Sequence, residues 1–464
     1  MIRLSLAELA EITNGRVIGD SSVEVFAGVE TDSRRVETGY LFVAKPGEVT
    51  DGHLFIGAAA AAGATAALVQ REVESDIPVV LVDDVVAALG KLATAVIARL
   101  RILGNITVIG VTGSNGKTST KNMLNAVLSR FGNTIAPRES FNNEVGAPIS
   151  MLLADESTRF LVVELGADGL GSIDYLAKMC MPDIGVELKV GMAHAGEFGG
   201  IEVTARIKAE LVANIREGGV LVYNADDGYC VDMAENFAGR KISFGTSEAD
   251  FRSIGARLAL SGTHSTIVYP DQSETPLRLQ ILGEHQIMNA LATISVADAL
   301  ELDRKRVIEA LEDLPLAERW RMQLAERDGI AIINDAYNAS PESMRAGLQT
   351  LATLGRETGR RTVAVLGEMA ELGQFAAESH DSMGRLVVRL NIDQLIVVGA
   401  GAKLIHMGAT QEGSWDGESK FFESIDEALH HLHGMLRSND IVLVKSSKSA
   451  NLRHLGDKLM GVEE

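Results

Sequence analysis

The residues with the clearest chemical potential lie in ITVIGVTGSNGKTSTKNML, residues 106–124. Gly113-Ser114-Asn115-Gly116-Lys117-Thr118-Ser119 follows an apolar run and opens an amphipathic one. Glycines at 113 and 116 let backbone N–H groups turn toward an anion with no Cβ in the way. A helix starting there adds the positive end of its dipole. Lys117 is placed to reach the β- and γ-phosphates of a nucleotide, and the Thr118 hydroxyl to ligate Mg²⁺. The full phosphate-loop pattern wants glycine at 111, where Val111 stands; Gly110 is one place out of register. A strand before and a helix after outweigh that lapse, and the segment reads as an ATP site.

Other candidates end strands or sit on helices. Phe160-Leu-Val-Val-Glu164 reads as a buried strand closing on a carboxylate, where a phosphate-loop sheet holds its metal ion. His194 lies in a glycine-rich turn, 190–200, and as a lone histidine is more often structural. Lys208 falls on an amphipathic helix, and its spacing reads as a solvated lysine. Asp335, in Asp335-Ala-Tyr337-Asn338-Ala-Ser-Pro, is placed like a ribose-binding acid, with a plain turn as the equal alternative. Segments 367–373 and 445–449 also follow strand-like runs.

The elements that must carry these residues form an alternating pattern. Residues 1–83 read as a small α/β unit, with strands at 41–44 and 79–82 and an alanine-rich helix over 58–67. Residues 84–314 begin with a helix over 85–100. Strands then fall at 106–111, 160–163, 184–188 and 219–223, the mark of a mostly parallel sheet covered by helices. An antiparallel excursion over 257–283 and a helix over 286–302 follow. Residues 315–464 place strands at 330–333, 362–366, 394–398 and 441–444, with helices near 341–354, 376–390 and 424–437. The fold class is therefore α/β in three domains, the last Rossmann-like. Every marked loop lies at a C-terminal strand end, where open α/β sheets bind ligands.

Composition narrows the function. The 464 residues hold 43 Lys and Arg against 63 Asp and Glu, a net charge of −20. A basic footprint for nucleic acid is absent. Two cysteines, Cys180 and Cys230, exclude a disulfide framework. Glu8 and Glu11 interrupt any signal-peptide run, and the apolar stretch 57–69 falls short of the roughly 20 residues a membrane span takes. The expectation is a cytoplasmic protein without nucleic-acid partner or membrane insertion.

Taken together, T-G-S-N-G-K-T at 112–118, Glu164, His194 with its flanks, Lys208 in K-A-E-L, Gly283-x-His285-x-x-x-Asn289 and Arg321 resemble the Mur ligases, the ATP-dependent amide-forming family of peptidoglycan precursor synthesis. The resemblance spans essentially the whole chain. Phe141-Asn142-Asn143 with Gly146 and Pro148, the segment 335–341, Gly367–Gly373 and Val444–Ser449 resemble the branch that adds a dipeptide. Thr31-Asp32-Ser33-Arg34 and Pro46-Gly47-Glu48 are similar to the uridine-nucleotide-binding domain shared with the amino-acid-adding sister enzyme, whose D-N-P-R segment is missing here.

The resemblance implies a monomer that uses ATP and Mg²⁺ to join D-alanyl-D-alanine to UDP-N-acetylmuramoyl-tripeptide through an acyl phosphate. It assigns Lys117, Lys208 and His194 to catalysis. Residues 113–119 with Asn289, Arg321 and Asp335 would hold the nucleotide, the last three at adenine, phosphate and ribose. Ser33, Arg34, Asn142, Asn143, Tyr337 and Asn338 would bind substrate. Thr118, Glu164, His194 and Lys208 would hold metal, the last as a carbamylated lysine. Gln286, Ser340 and the charged pair Glu187 and Lys189 depart from the family's usual residues. A non-catalytic ATP-binding switch is the rival of a different class, and intact Lys117, Glu164 and Lys208 weigh against it.

Overall fold

The computed structural model describes residues 1–47, 50–104, 106–192, 198–314, 319–413 and 418–462. Three larger sheets organise the chain. The first has five strands in the order Arg16–Ile18, Val79–Leu81, Ala66–Val69, Tyr40–Val43 and Gly28–Glu30. All its pairs are parallel except the edge pair of 16–18 with 79–81. The helix expected over 58–67 is really two elements. Ile56–Ala62 is helical, Gly63 ends it in a left-handed conformation at φ +111°, and Ala66–Val69 is a strand buried at every residue. The alanines have helix propensity, but burial on both faces of a parallel sheet overrides it.

The central sheet has nine strands. The Thr107–Thr112 strand lies between Ile184–Glu187 and Phe160–Glu164, parallel to both. The register sets Glu164 opposite Val111 and Glu187 opposite Thr112, so all three strands end at one edge. Strands Phe251–Ala259, Gly262–Val268 and Glu274–Leu279 run antiparallel to one another. They extend the sheet by a parallel pairing of 251–252 with 244–245. The excursion thus begins earlier than the sequence pattern suggests.

The third sheet has six strands in the order Gln323–Arg327, Ile330–Asn334, Asp440–Lys445, Arg361–Leu366, Gln394–Val398 and Ser419–Phe422. Both edge strands escape the sequence reading because they carry polar residues and are at most half-buried. Helices Lys403–Glu412 and Leu452–Met460 were likewise not anticipated. The Val85–Leu103 helix packs against both the Leu6–Thr13 and Ser172–Cys180 helices. One apolar core therefore runs from the first sheet into the central one.

Candidate active site

The phosphate loop forms where the Thr107–Thr112 strand turns into the Lys117–Leu128 helix. Gly113 and Gly116 have φ of +148° and +88°. A Cβ on Gly116 would stand 2.5 Å from Asn289 Oδ1, and one on Gly113 2.9 Å from Leu188 Cβ. Both positions therefore need glycine for conformation and for space. Ser114 N–H donates to Lys189 O at 2.7 Å, and the Ser114 hydroxyl is bonded to Gly191 N–H and O. Gly116, at the N-cap, brings no side chain to cap the helix, and among the described residues the helix's first-turn N–H groups stay available to an anion. Lys117 Nζ folds back to donate to Gly113 O at 2.6 Å. Burial lowers its pKa, with Arg321 adding to the effect and Glu164 opposing it.

This loop lines a cavity of about 370 Å³ shared with the C-terminal third. Glu164 reaches it from its strand end. Its Oε1 accepts from Asn142 Nδ2 at 2.8 Å and from the Thr118 hydroxyl at 3.3 Å. Its Oε2 is buried with no partner among the described residues. A buried bare carboxylate oxygen beside a threonine hydroxyl fits a hard cation such as Mg²⁺, which takes a few protein oxygens and fills the rest with water and phosphate. Among the described residues no three His, Cys, Asp or Glu side chains cluster as a complete metal cage.

The opposite wall carries Asp335, Tyr337, Asn338, Ser340 and Lys445. Arg321 stacks 4.0 Å over the Tyr337 ring and reaches the Thr118 hydroxyl at 3.3 Å. Ser140 sits between the two walls, 3.4 Å from both the Thr118 and Tyr337 hydroxyls. The Ser340 hydroxyl donates to Asn115 Oδ1 at 3.2 Å. Asp335 is not an open acid: Oδ1 accepts the Met322 N–H at 3.0 Å and Oδ2 pairs with Lys445 at 2.5 Å. Asn338 uses its side-chain oxygen on the Ala339 N–H.

Several expected residues stand elsewhere. Ser33 and Arg34 lie after the Gly28–Glu30 strand, in a short turn where Arg34 is paired with Asp32, and line no part of this cavity. Asn143 caps the start of the Gly146–Met151 helix through bonds to the Val145 and Gly146 N–H groups. Asn289 is buried, bonded to Thr120 and Gln286 behind the phosphate loop. It lines the first cavity and also a second one of about 600 Å³, which shares Asn115, Gly116, Lys189, His285, Asn289 and Ala346 with the first. His194 falls outside the described residues, as does Glu48.

Lys208 overturns its reading from spacing. It is 4% exposed, on the sheet-facing side of the Ile201–Ala213 helix. Burial first, then the nearby Lys117, lowers its pKa to about 7 against the pull of Glu187 and Glu210. Glu187 is wholly buried with both carboxylate oxygens unpartnered among the described residues. Burial raises its pKa well above the usual range, with Lys208 opposing and Asp227 assisting. An amphipathic pattern gives a helix two flanks, and spacing alone cannot say which one a third layer covers. Ser140 and the Asp335–Lys445 pairing also went unseen. The signal for the pair was a lysine closing the apolar run 441–444 of the strand DIVLVK.

Residues 25–106, 111–297 and 320–448 match the models described as Mur ligase family, catalytic domain; Mur ligase middle domain; and Mur ligase, glutamate ligase domain. The chain is 40% identical, over 99% of its length and 98% of the relative's, to the UDP-N-acetylmuramoyl-tripeptide–D-alanyl-D-alanine ligase of Mycobacterium tuberculosis. The chain belongs to the Mur ligase family. The ligase of the same description from Bacillus subtilis is 33% identical over 98% of both chains. Among solved structures, MurF from Acinetobacter baumannii superposes with a TM-score of 0.89 at 30% identity, covering 99% of each chain. MurF ligase from Thermotoga maritima, solved in complex with ADP, gives 0.81 at 27% identity, covering 94% of this chain and 97% of that one. The three-sheet α/β architecture is that of these Mur ligases, and the protein is an ATP-dependent ligase. Among the described residues no helix is long and apolar enough to cross a membrane.

Proposed function

We propose that the protein joins D-alanyl-D-alanine to UDP-N-acetylmuramoyl-tripeptide in peptidoglycan precursor synthesis. The relatives named above carry this activity in their descriptions. The single observation that carries it to this chain is the shared cavity. Lys117, Thr118 and Glu164 of the central sheet face Arg321, Tyr337 and Asn338 of the C-terminal third across one space.

The reaction has two steps. A carboxylate oxygen of the tripeptide attacks the γ-phosphorus of ATP, and ADP leaves. The dipeptide amine then attacks the acyl carbon, phosphate leaves, and one proton is released with the amide. The first-turn N–H groups and Lys117 bind the phosphates and offset charge that builds on the transferring group. Arg321, held against Tyr337, directs its guanidinium at the same point. The Thr118 hydroxyl and Glu164, with Lys208 and His194 assigned by family resemblance, would hold Mg²⁺, which would supply further charge neutralisation. Buried Lys208 has a substantial neutral fraction near pH 7–8, and a neutral amine is the form that takes up CO₂ as a carbamate. The second cavity, beside Asn289, would take the adenine ring, and the ribose would then lie toward the first cavity, which Asp335 and Lys445 line.

The reading includes a monomer, since residues of one chain line both walls of the cavity, and a cytoplasmic location, since the substrates are nucleotide-activated. With ATP and Mg²⁺, phosphate release should require both UDP-muramoyl-tripeptide and D-alanyl-D-alanine. Release that ignores the dipeptide would refute the reading.

A further inference from the structure

Glu342 occupies the first turn of the Pro341–Thr358 helix and reaches across the cavity to the central loop. Its Oε1 accepts the Met192 N–H at 2.8 Å. Gly191 makes the approach possible, since a Cβ there would stand 3.0 Å from Glu342 Cδ. Its Oε2 is buried with no hydrogen-bond partner among the described residues. The side chain lines the same space as Lys117, Glu164, Tyr337 and Asn338.

A carboxylate oxygen kept from water without a donor is costly, so a donor should arrive with a ligand. The chemistry of the ligands narrows which one. ATP brings phosphates, and the UDP-linked peptide brings phosphates and carboxylates; a bare carboxylate repels these groups. The positive group among the proposed substrates' reacting parts is the ammonium of the dipeptide. Lys445, a nearby protein cation, is already committed to Asp335. We propose that Glu342 receives the amine of the incoming dipeptide, with Oε1 fixed by the Met192 N–H and Oε2 accepting from the ammonium. This role rests on the ligase reading above. It adds to that reading a specific group that selects an amine and holds it toward the acyl carbon.

Glu342→Gln separates this role from a purely structural clasp. The amide keeps one carbonyl oxygen for the Met192 N–H and puts a donor where the ammonium's acceptor was. Phosphate release should be measured while each substrate is varied in turn. The KM for D-alanyl-D-alanine should rise about tenfold or more, the loss expected for one charge-assisted hydrogen bond. The KM values for ATP and the UDP-substrate should move by less than about threefold, within the range of a small local change. Acyl phosphate, trapped with hydroxylamine in the absence of dipeptide, should still form. Glu342→Ala, which also loses the clasp, should raise all three KM values. Glu342→Gln that behaves like Glu342→Ala, or that leaves the dipeptide KM unchanged, would overturn the proposal. So would a raised Mg²⁺ requirement with normal dipeptide kinetics, which would make Glu342 a metal ligand. Wild-type phosphate release independent of dipeptide would overturn the ligase reading and this role with it. Dipeptide dependence in the wild type with an unaffected Gln variant would overturn this role alone.

Discussion

Lys445 Nζ stands 2.5 Å from Asp335 Oδ2, and the two side chains are only 2% and 15% exposed. The pair locks the end of the Asp440–Lys445 strand to the loop that carries Tyr337 and Asn338, since Lys445 also donates to Asn338 O at 3.2 Å. Removing one partner leaves a buried charge uncompensated. Lys445→Met should therefore cost about 3–5 kcal/mol in unfolding free energy, read from denaturant midpoints. A cost below about 1 kcal/mol would place the pair with ordinary exposed bridges instead.

Lys117 makes a different prediction because its bond to Gly113 O is local and its burial already disfavours the charge. Lys117→Met should leave the thermal midpoint close to wild type. It should lower kcat by about 10²–10³-fold, the usual loss when one preorganised charge-stabilising group is removed. Wild-type turnover in the variant would remove Lys117 from the mechanism.

Lys208 links structure to pH. Its folded pKa of about 7 lies below the value of about 10.4 for an unfolded lysine. Between those values the unfolded chain binds more protons, so this residue's contribution makes stability rise with pH. The penalty is full below about pH 7 and vanishes above about pH 10.4. Lys208→Met should be inactive and should lack that contribution when denaturation midpoints at pH 7 and pH 9 are compared. Wild-type protein kept in ¹³C-bicarbonate should show a carbamate carbon by NMR that the variant lacks. The same slope in both proteins would disprove the linkage.

Both cysteines are buried, and burial is the leading cause that pushes the Cys180 thiol up to about 12 and raises Cys230 as well. A thiolate is the reactive form, so the native protein should resist a thiol reagent at pH 8. Denatured protein should release the full signal of 2 thiols. Rapid labelling of the folded protein would show that the core around the Ser172–Cys180 helix opens.

What the sequence determined by itself was local. Gly113, Gly116, Lys117 and Thr118 declare a phosphate loop because backbone conformation, helix start and side-chain reach are all set within a few residues. The four buried strands at 330–333, 362–366, 394–398 and 441–444 were equally legible, since burial on both faces leaves apolar runs, whereas the half-buried strand Ser419–Phe422 and the helix Lys403–Glu412 were not. The tertiary structure decided what local pattern leaves open. Lys208 sits on a helix whose spacing suggests solvent, yet packing against the sheet buries it next to Glu187 and shifts its protonation. Ala66–Val69 is a strand because neighbours on both sides complete its hydrogen bonds, although its composition favours a helix. Asp335 and Lys445 are 110 residues apart in sequence. Their ion pair exists because the strands Ile330–Asn334 and Asp440–Lys445 lie side by side in one sheet, and Glu342 reaches Met192 because two sheets present their strand ends to one cavity. Charge and hydrogen bonding depend on distance in space, and the fold sets that distance.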